Sequence, residues 1–337
     1  MTEGLQRGDR APDFVAPLAG KPTRFYSRAG GRPTVIAFCD AGDIGCLTNL
    51  VEAIDILGTP TFAVVRSGTN GAPTPDGVTL FLDEEDAVTT GYRLSSTSRP
   101  MAFVLDANLR VVDALSIQDG APGAKAALLN AGEEVSPREM DVHAPVLMIP
   151  NVLDQETCRM LTQVWTDAGS RETGVEASDA GGRSELLDVR QKRRRDHVVE
   201  DEDLMKQLTS TVGRRVIPEV QRAFHYRASR FEGFKIACYD SESLGFFSPH
   251  RDNLSPSTAH RRFALTLNLN AGYDGGHLRF PEFGPHLYRP PAGGAVLFSC
   301  SMLHEVTPVT EGRRFTLLSF LFNRDSSPAG SQPPASP

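Results

Sequence analysis

The sequence predicts two domains of different fold class, an α/β domain followed by a mainly β domain with flanking helices. Its 337 residues exceed the length of one average domain and favour two. Up to about residue 130, short apolar strand segments alternate with helical segments, which is typical of an α/β layer fold. From about residue 231, short strands are separated by turns containing Gly and Pro, which is typical of a β-sandwich or barrel of the jelly-roll type.

The α/β region begins with a buried strand, "PTVIAFCD", an apolar run bounded by Pro and Asp. A helix is predicted next over "CLTNLVEAIDIL", and further strands over "TFAVVR", "VTLFLD", "MAFVLD" and "RVVDALS". Beyond them, polar residues without apolar periodicity predict a linker at 133–144, which separates a first domain at 1–132 from a second at 145–323.

The second region begins with an amphipathic helix over "DQETCRMLTQVWTDAG", for which Asp154 is the predicted N-cap. The segment "DLMKQLTSTVGRRVIPEVQRAFH" predicts one or two helices broken near Pro218. Five strands follow, over "FEGFKIACYD", "RRFALTLNLN", "HLRFP", "GAVLFSC" and "RRFTLLSFLF". The tail at 324–337 is rich in Pro, Ser and Gly and is predicted to be disordered.

Composition excludes several function classes. The formal net charge of −7 argues against a general affinity for nucleic acid or anionic membrane. No apolar run reaches 18 residues and the N-terminus lacks an apolar signal core, so we expect a cytoplasmic protein with no membrane partner. The five cysteines are few, odd in number and scattered, unlike a disulfide framework.

The stretch "GFFSPHRDNLS" contains His250 and Asp252 two residues apart. Such a pair, seen alone, is common in ordinary polar turns. A kinase catalytic loop would need Asn at position 257, where this chain has Ser257, and it would need a GxGxxG loop and a DFG motif that the sequence lacks. The remaining interpretation is a pair of metal ligands, which requires a third ligand elsewhere.

That ligand can come from His304, which follows the apolar segment "GGAVLFS". Residues i and i+2 of a strand point to the same side, so His250 and Asp252 can address one ion. Two histidines and one carboxylate leave positions open on Fe(II) for a co-substrate and O2. Ten residues later, Arg314 opens a strand with Thr316 on the same side, and a buried arginine is suited to gripping a dicarboxylate in bidentate fashion.

Residues 145–323 resemble the iron- and 2-oxoglutarate-dependent dioxygenases of the prolyl 4-hydroxylase-like branch, through "FFSPHRDN", "LTLNLNAGYDGGHLRFPEFG" and "PPAGGAVLFSCSMLHEVTPVTEGRRF". The resemblance implies a double-stranded β-helix (jelly-roll) with His250, Asp252 and His304 as catalytic iron ligands. It implies that Arg314 holds the C5 carboxylate of 2-oxoglutarate. Tyr239, in "ACYD", stands where the family often has a tyrosine facing the co-substrate. The resemblance also allows for ascorbate as a further cofactor.

The activity implied is hydroxylation of an unactivated C–H bond in an amino-acid, peptide or protein substrate, with consumption of O2 and release of succinate and CO2. A carboxylate at Asp252 favours hydroxylation over halogenation, because halogenating relatives need a small residue at that place. The sequence leaves open the substrate, the choice between hydroxylation, desaturation and dealkylation, and the presence of a homodimer.

The first domain resembles the thioredoxin and peroxiredoxin superfamily, in its AhpC/TSA branch, through "GDRAPDF" and "PTVIAFCDAGDIGC". Pro100 in "SRPMAFVLD" fits the cis-proline segment of that family. The redox motif is incomplete: aligned as CxxC, its first position is Asp43 and only Cys46 remains, with Cys39 at the preceding strand end. We expect a thioredoxin-like domain without redox activity, used for dimerisation or substrate recruitment.

Two other functions remain open at this stage. One is a thiol-dependent peroxidase or redox sensor acting through the first domain, and the other is a non-catalytic binding module. The basic run "QKRRRDH" is either a solvated face or part of a lid that attracts an anionic substrate. His260 and the following Arg261 and Arg262 belong either to a solvated strand entry or to a substrate-orienting group.

Overall fold

A computed structural model describes residues 3–54, 58–66, 74–95, 100–117, 121–132, 139–173, 175–179, 182–186, 188 and 190–323. The chain divides into two compact units, Met1–Arg138 and Glu139–Pro337. None of the helices in the described ranges is both long and apolar enough to cross a bilayer. The predicted disordered tail at 324–337 and the linker residues 133–138 lie outside the described residues.

The described residues of the first unit form seven strands and four α-helices: β1 (Val15–Leu18), β2 (Lys21–Arg24), α1 (Tyr26–Ala29), β3 (Thr34–Cys39), α2 (Cys46–Ile54), β4 (Thr61–Val65), β5 (Val78–Leu82), α3 (Ala87–Gly91), β6 (Met101–Leu105), β7 (Val111–Ser116) and α4 (Ala121–Asn130). Five strands form a sheet in the order β5-β4-β3-β6-β7. Strands β3, β4 and β5 are parallel, whereas β6 and β7 are antiparallel to their neighbours. The strands predicted for this region are therefore present.

Central strand β3 is buried along its whole length because both faces of the sheet are covered. Val35 and Ala37 pack on one face with apolar residues of α2 and α4. Ile36 and Phe38 point to the other face, into a cluster that includes Phe25. The predicted cis-proline segment is only partly described: Pro100 precedes β6, but Arg99 lies outside the described residues.

Where the structure describes the second unit, its α-helices are α5 (Gln155–Asp167) and α6 (Glu202–Phe224). Its strands are β8 (Leu147–Ile149), β9 (Arg171–Glu172), β10 (Val175–Asp179), β11 (Gly182–Leu186), β12 (Lys192–Arg193), β13 (Arg195–Val198), β14 (Arg230–Phe231), β15 (Lys235–Asp240), β16 (Phe246–His250), β17 (Phe263–Asn268), β18 (Asp274–Gly275), β19 (Leu278–Arg279), β20 (Leu287–Tyr288), β21 (Ala295–Ser299), β22 (His304–Val306), β23 (Val309–Glu311) and β24 (Arg313–Phe322).

The two helices differ in how well the sequence predicted them. Asp154 caps α5 as expected, since its side chain accepts a hydrogen bond of 2.7 Å from the backbone N–H of Thr157. The predicted break near Pro218 is wrong, because α6 continues through that residue as one helix. Its buried residues Val212, Val216 and Val220 recur every fourth position, so packing against the core holds the helix on both sides of the proline.

Most of these strands form two antiparallel sheets that face each other, while β10 pairs with β11 and β18 pairs with β23 in separate two-stranded sheets. The larger runs β8-β21-β17-β24-β15-β13-β9, with β14 also paired to β24, and the smaller runs β12-β16-β22-β19-β20. Between them lies an apolar cluster that includes Tyr239 and Phe298 from the larger sheet and Leu278 and Val306 from the smaller. Helices α5 and α6 cover the outer face of the larger sheet. This is the jelly-roll-like arrangement that the sequence predicted for this region.

Alternation along β24 decides which side chains enter the interior. Phe315 and Leu317 pack outward in the cluster that contains the helices. Arg314 and Thr316 consequently point to the inner face, between the two sheets, and both are buried. Arg313 is on the outer side, exposed, and paired with Asp240 at 2.7 Å.

Candidate active site

The two histidines predicted as metal ligands face each other on adjacent strands. His250 at the end of β16 is the register partner of His304 at the start of β22, with 4.2 Å between the ring centroids. Nε2 of His250 lies 3.5 Å from Oδ1 of Asp252, and Nε2 of His304 lies 3.4 Å from its Oδ2. The ligand atoms of all three residues fall within 4.8 Å of one another, as binding of one ion requires.

The reason for this convergence differs from the one expected. Strand β16 ends at His250, so Asp252 does not share its strand face and lies instead in the turn that follows. The backbone N–H of Asp252 donates to the carbonyl of Cys300 at 3.0 Å, which draws the turn towards the strand that precedes His304. A turn, and not period-two alternation, thus brings the carboxylate to the histidines.

Backbone carbonyls set the orientation of both imidazoles. Nδ1 of His250 lies 2.8 Å from the carbonyl of Ser248, and Nδ1 of His304 lies 3.0 Å from that of Met302. When Nδ1–H donates to a carbonyl, the lone pair remains on Nε2, which is the atom facing Asp252. Phe247 stacks on the His250 ring with 3.5 Å between centroids, and this contact limits rotation of the ligand.

The electrostatics of the trio favour the metal-binding protonation states. Burial would raise the pKa of Asp252, but the neighbouring His304 and His250 outweigh it and lower that pKa to about 2. Burial lowers the pKa of His304 to about 4, against the attraction of Asp252. At neutral pH the carboxylate is therefore ionised and the His304 ring is neutral, as a metal ligand must be.

A buried arginine supports the turn that carries Asp252. Nη1 of Arg261 donates to the carbonyl of Asp252 at 3.3 Å, while its Nε donates to Oε2 of Glu232 at 2.7 Å. The guanidinium lies 3.9 Å from the ring centroid of Phe320, and Nε2 of His260 is 3.0 Å from the same carboxylate of Glu232. Because both side chains are buried, a solvated strand entry does not describe this pair. Arg261 supports the turn that carries Asp252, and Glu232, which sequence reasoning missed, is the shared partner of His260 and Arg261.

Arg314 and Thr316 present unsatisfied donors to the interior. Arg314 is 2% exposed, and within the described ranges its Nε and Nη1 atoms and the Oγ1 of Thr316 have no hydrogen-bonding partner. Leaving buried donors unpaired costs about 1–3 kcal/mol each, and more for a charged group. Tyr239 is the register partner of Arg314, and its ring lies 5.4 Å from the guanidinium. A carboxylate, which only accepts hydrogen bonds, fits this donor set.

The basic run "QKRRRDH" is divided between interior and surface. Lys192 and Arg194 are largely buried, whereas Arg193 and Arg195 are exposed. Nζ of Lys192 donates to Oγ1 of Thr173 at 2.8 Å, and Arg194 binds the carboxylate of Asp196 through two contacts of 2.7 Å. Alternate residues of this run are therefore buried. The alternation of side chains along a short strand could have indicated this.

The first unit does not carry an activated thiol at Cys39. That residue is buried, and burial, with Asp43 and Asp40 nearby, raises its pKa to about 12. A thiol redox site needs a thiolate near neutral pH, which this environment opposes. Cys46 is half-buried and begins α2, and both cysteines are free.

The donor set of the second unit fits the cofactors that the sequence implies. Two imidazoles and one carboxylate form the facial set used for Fe(II), with coordination positions left open. In the same interior, a guanidinium and a hydroxyl supply the donors that the far carboxylate of a dicarboxylate needs.

Comparison with known proteins finds similarity to iron- and 2-oxoglutarate-dependent oxygenases in part of the chain. Residues 234–322 match the 2OG-Fe(II) oxygenase superfamily. A PKHD-type hydroxylase of Synechococcus sp. (strain JA-2-3B'a(2-13)) is 32% identical over 93 residues, which are 26% of this chain and 41% of that protein. A PKHD-type hydroxylase of Phenylobacterium zucineum is 39% identical over 77 residues, 20% of this chain and 34% of that protein. The chain thus spans less than half the length of these curated relatives.

Solved structures of low sequence identity are also similar. A prolyl hydroxylase from Trichoplax adhaerens, in complex with a peptide fragment of the hypoxia inducible factor oxygen degradation domain, is 19% identical. It covers 56% of this chain and 88% of its own, with a TM-score of 0.46. A prolyl-4-hydroxylase of Pseudomonas putida is 18% identical and covers 54% of this chain and 94% of its own, with a TM-score of 0.38.

The sequence match covers β15, β16 and the strands that follow them, and so includes His250, Asp252, His304, Arg314 and Thr316. The C-terminal region of this chain, at 234–322, accordingly matches the 2OG-Fe(II) oxygenase superfamily and is similar to the PKHD-type hydroxylases.

Proposed function

We propose that this protein is an Fe(II)- and 2-oxoglutarate-dependent oxygenase that hydroxylates an unactivated C–H bond. The observation that carries the proposal is the meeting of His250, Asp252 and His304, with ligand atoms within 4.8 Å of one another. The unsatisfied donors of Arg314 and Thr316, in the interior of the same barrel, support a dicarboxylate co-substrate. The similarity to PKHD-type hydroxylases supports hydroxylation as the reaction.

In this proposal His250, Asp252 and His304 hold the iron, and Arg314 holds the C5 carboxylate of 2-oxoglutarate with help from Thr316 and Tyr239. Iron, when bound, supplies the activation of O2 that side chains cannot provide. The protein residues orient the reactants: the carbonyls of Ser248 and Met302 direct both Nε2 atoms to one point. Arg314 and Thr316 fix the end of the co-substrate away from the metal.

The balanced reaction takes one substrate C–H group, one 2-oxoglutarate and one O2, and yields the alcohol, succinate and CO2. One oxygen atom enters succinate and the other enters the product. We propose an amino-acid, peptide or protein substrate. The carboxylate of Asp252 favours hydroxylation, because it occupies a coordination position that halogenation would require for halide.

For the first unit we propose a thioredoxin-like domain without redox activity that recruits substrate or mediates dimerisation. The central β3, parallel to β4 and antiparallel to β6, supports this assignment. The raised pKa of Cys39 argues against a thiol-dependent peroxidase acting through that residue.

Slow substrate-free turnover tests the proposal. Full-length protein with Fe(II), 2-oxoglutarate and O2, with and without ascorbate, should form succinate, and the anaerobic mixture should show a weak visible charge-transfer band. His304→Ala should abolish both signals, whereas His286→Ala, at an exposed histidine, should retain them. Succinate formation that survives the loss of His304 would contradict the proposed site, and absence of both signals in the unsubstituted protein would contradict the proposed reaction.

A further inference from the structure

The guanidinium of Arg194 is held in one orientation inside the barrel. Its side chain is 10% exposed, and its Nε and Nη2 atoms donate to the two oxygens of Asp196 at 2.7 Å each. The carboxylate of Asp196 is itself fixed by the hydroxyl of Thr173 at 2.7 Å. A bidentate pair of this kind determines the plane of the guanidinium, and hence the direction of its remaining N–H groups.

One of those remaining groups faces the hydroxyl of Tyr239. Nη1 of Arg194 lies 3.3 Å from Oη of Tyr239, and the guanidinium lies 5.8 Å from the ring centroid. A guanidinium can donate hydrogen bonds but cannot accept them. The phenol oxygen is therefore the acceptor in this contact, and the phenol hydrogen has to point to a different acceptor.

Within the described part of the chain, Tyr239 makes no other hydrogen bond. The residue is 2% exposed, so water outside the protein does not readily satisfy its hydrogen. Tyr239 is the register partner of Arg314, whose Nε and Nη1 atoms likewise have no hydrogen-bond acceptor among the described residues. The hydroxyl of Thr316, on the same face of the sheet, also lacks a hydrogen-bonding partner among the described residues. These donors together call for a ligand that presents several acceptor oxygens and no donors.

We propose that Arg194 is a positioning residue for the co-substrate: it occupies the acceptor side of the Tyr239 hydroxyl and so fixes that hydroxyl as a donor to 2-oxoglutarate. The inference rests on the proposed function and adds a residue from outside the matched region to it. Arg194 acts through Tyr239 and does not itself touch the dicarboxylate. Its energetic contribution should therefore disappear when the Tyr239 hydroxyl is removed.

A double-mutant cycle tests this dependence. The Kd of 2-oxoglutarate is measured on full-length protein by anaerobic titration of the Fe(II) charge-transfer band. We expect Tyr239→Phe to raise the Kd about tenfold, the loss of one hydrogen bond to a charged group. Arg194→Met should raise it by about fivefold to tenfold alone, but by less than about twofold in the Tyr239→Phe background.

Two further measurements separate positioning from general damage. Mn(II) affinity without co-substrate should be unchanged in Arg194→Met, and kcat at saturating 2-oxoglutarate should be retained while KM rises. Arg193→Met is the matched control, because it removes the same charge from an exposed neighbour in the same run. If Arg194→Met does not fold, Arg194→Lys serves in the same cycle, since an ammonium keeps the charge beside Asp196 but lacks the planar fork.

If the two substitutions raise the Kd of 2-oxoglutarate multiplicatively, the inference is wrong. It is also wrong if the Kd is unchanged in both Arg194 variants. In either case the proposed function stands. If the unsubstituted protein shows no band and no 2-oxoglutarate binding, the proposed function fails and the inference fails with it.

Discussion

The Cδ atom of Arg314 lies in the space that a side chain at Gly276 would need. A Cβ at that position would be 2.9 Å from Cδ of Arg314 and 2.8 Å from Cγ2 of Val309. Gly276 also has a φ of +60°, which residues with a side chain seldom adopt. Gly276 is therefore part of the proposed 2-oxoglutarate site, although it offers no functional group.

Gly276→Ala should weaken 2-oxoglutarate binding without loss of the metal. The methyl group would displace the Arg314 side chain by enough to misalign a bidentate contact, so we expect the KM for 2-oxoglutarate to rise about tenfold or more. Initial rates of succinate formation, together with Mn(II) affinity, measure the two effects separately.

Gly272→Ala is the matched control for this substitution. Gly272 has a φ of +78°, so alanine there meets a comparable backbone penalty, but its Cβ would have no neighbour within 4 Å. Equal increases in KM for the two variants would mean that backbone strain, and not the Arg314 side chain, accounts for the effect.

Arg314→Lys should raise the 2-oxoglutarate requirement and leave the metal site intact. Lysine keeps the charge but replaces a planar fork with a point donor, so we expect half-saturation to require roughly tenfold more 2-oxoglutarate. Saturating co-substrate should restore most of kcat, and steady-state kinetics over a wide concentration range measure both quantities. Arg313→Lys, at the exposed neighbour paired with Asp240, should change neither, and an unchanged KM in Arg314→Lys would remove this residue from the site.

Local pattern in the sequence predicted the five strands of the main sheet of the first unit and β15, β17, β19, β21 and β24 of the second, because strand alternation and spacing are local properties. The alternation that placed Arg314 and Thr316 inward and Arg313 outward holds in the structure. The approach of Asp252 to the histidines was expected for the wrong reason. A turn held by Cys300 and Arg261 makes the contact, and such long-range hydrogen bonds have no signature in local spacing.

Two further features show where sequence patterns stop being informative. Helix α6 passes through Pro218 because its buried face outweighs a local propensity, and packing of that kind is invisible in a single sequence. Arg194 belongs to a basic run that resembles a solvated face, yet its side chain is largely buried and is paired with Asp196, two residues later. A carboxylate inside a basic run was the available signal that part of the run is buried.

The buried thiol of Cys39 should behave as a protonated, unreactive group. Its pKa is raised from 9.0 to about 12, chiefly by burial, so the folded chain keeps the proton where the unfolded chain loses it. The free energy of unfolding should therefore decrease as pH rises from about 9 towards 12, and Cys39→Ala should lessen that decrease. Urea titrations at several pH values measure the slope.

Chemical reactivity gives an independent check on the same thiol. At pH 8, iodoacetamide should modify Cys39 slowly in the folded protein and rapidly in urea, as followed by mass spectrometry. Rapid labelling in the folded state, or peroxide consumption that requires Cys39 or Cys46, would revive the thiol-dependent peroxidase as the function of the first unit.

Arg261→Met should weaken metal binding although it changes no ligand. The guanidinium holds the carbonyl of Asp252 and is itself fixed by Glu232, so its removal frees that carbonyl while the N–H of Asp252 stays bonded to Cys300. Supports of this kind typically contribute 10–100-fold to metal affinity, so we expect the Kd of Mn(II) to rise by roughly tenfold or more.

Arg262→Met provides the control, because that exposed arginine donates to the carbonyl of Ala259 and does not contact the turn. Glu232→Gln should give an intermediate loss, since the amide can still accept one hydrogen bond from Arg261. If Arg261→Met and Arg262→Met bind Mn(II) equally well, the contact from Arg261 is not needed to place Asp252.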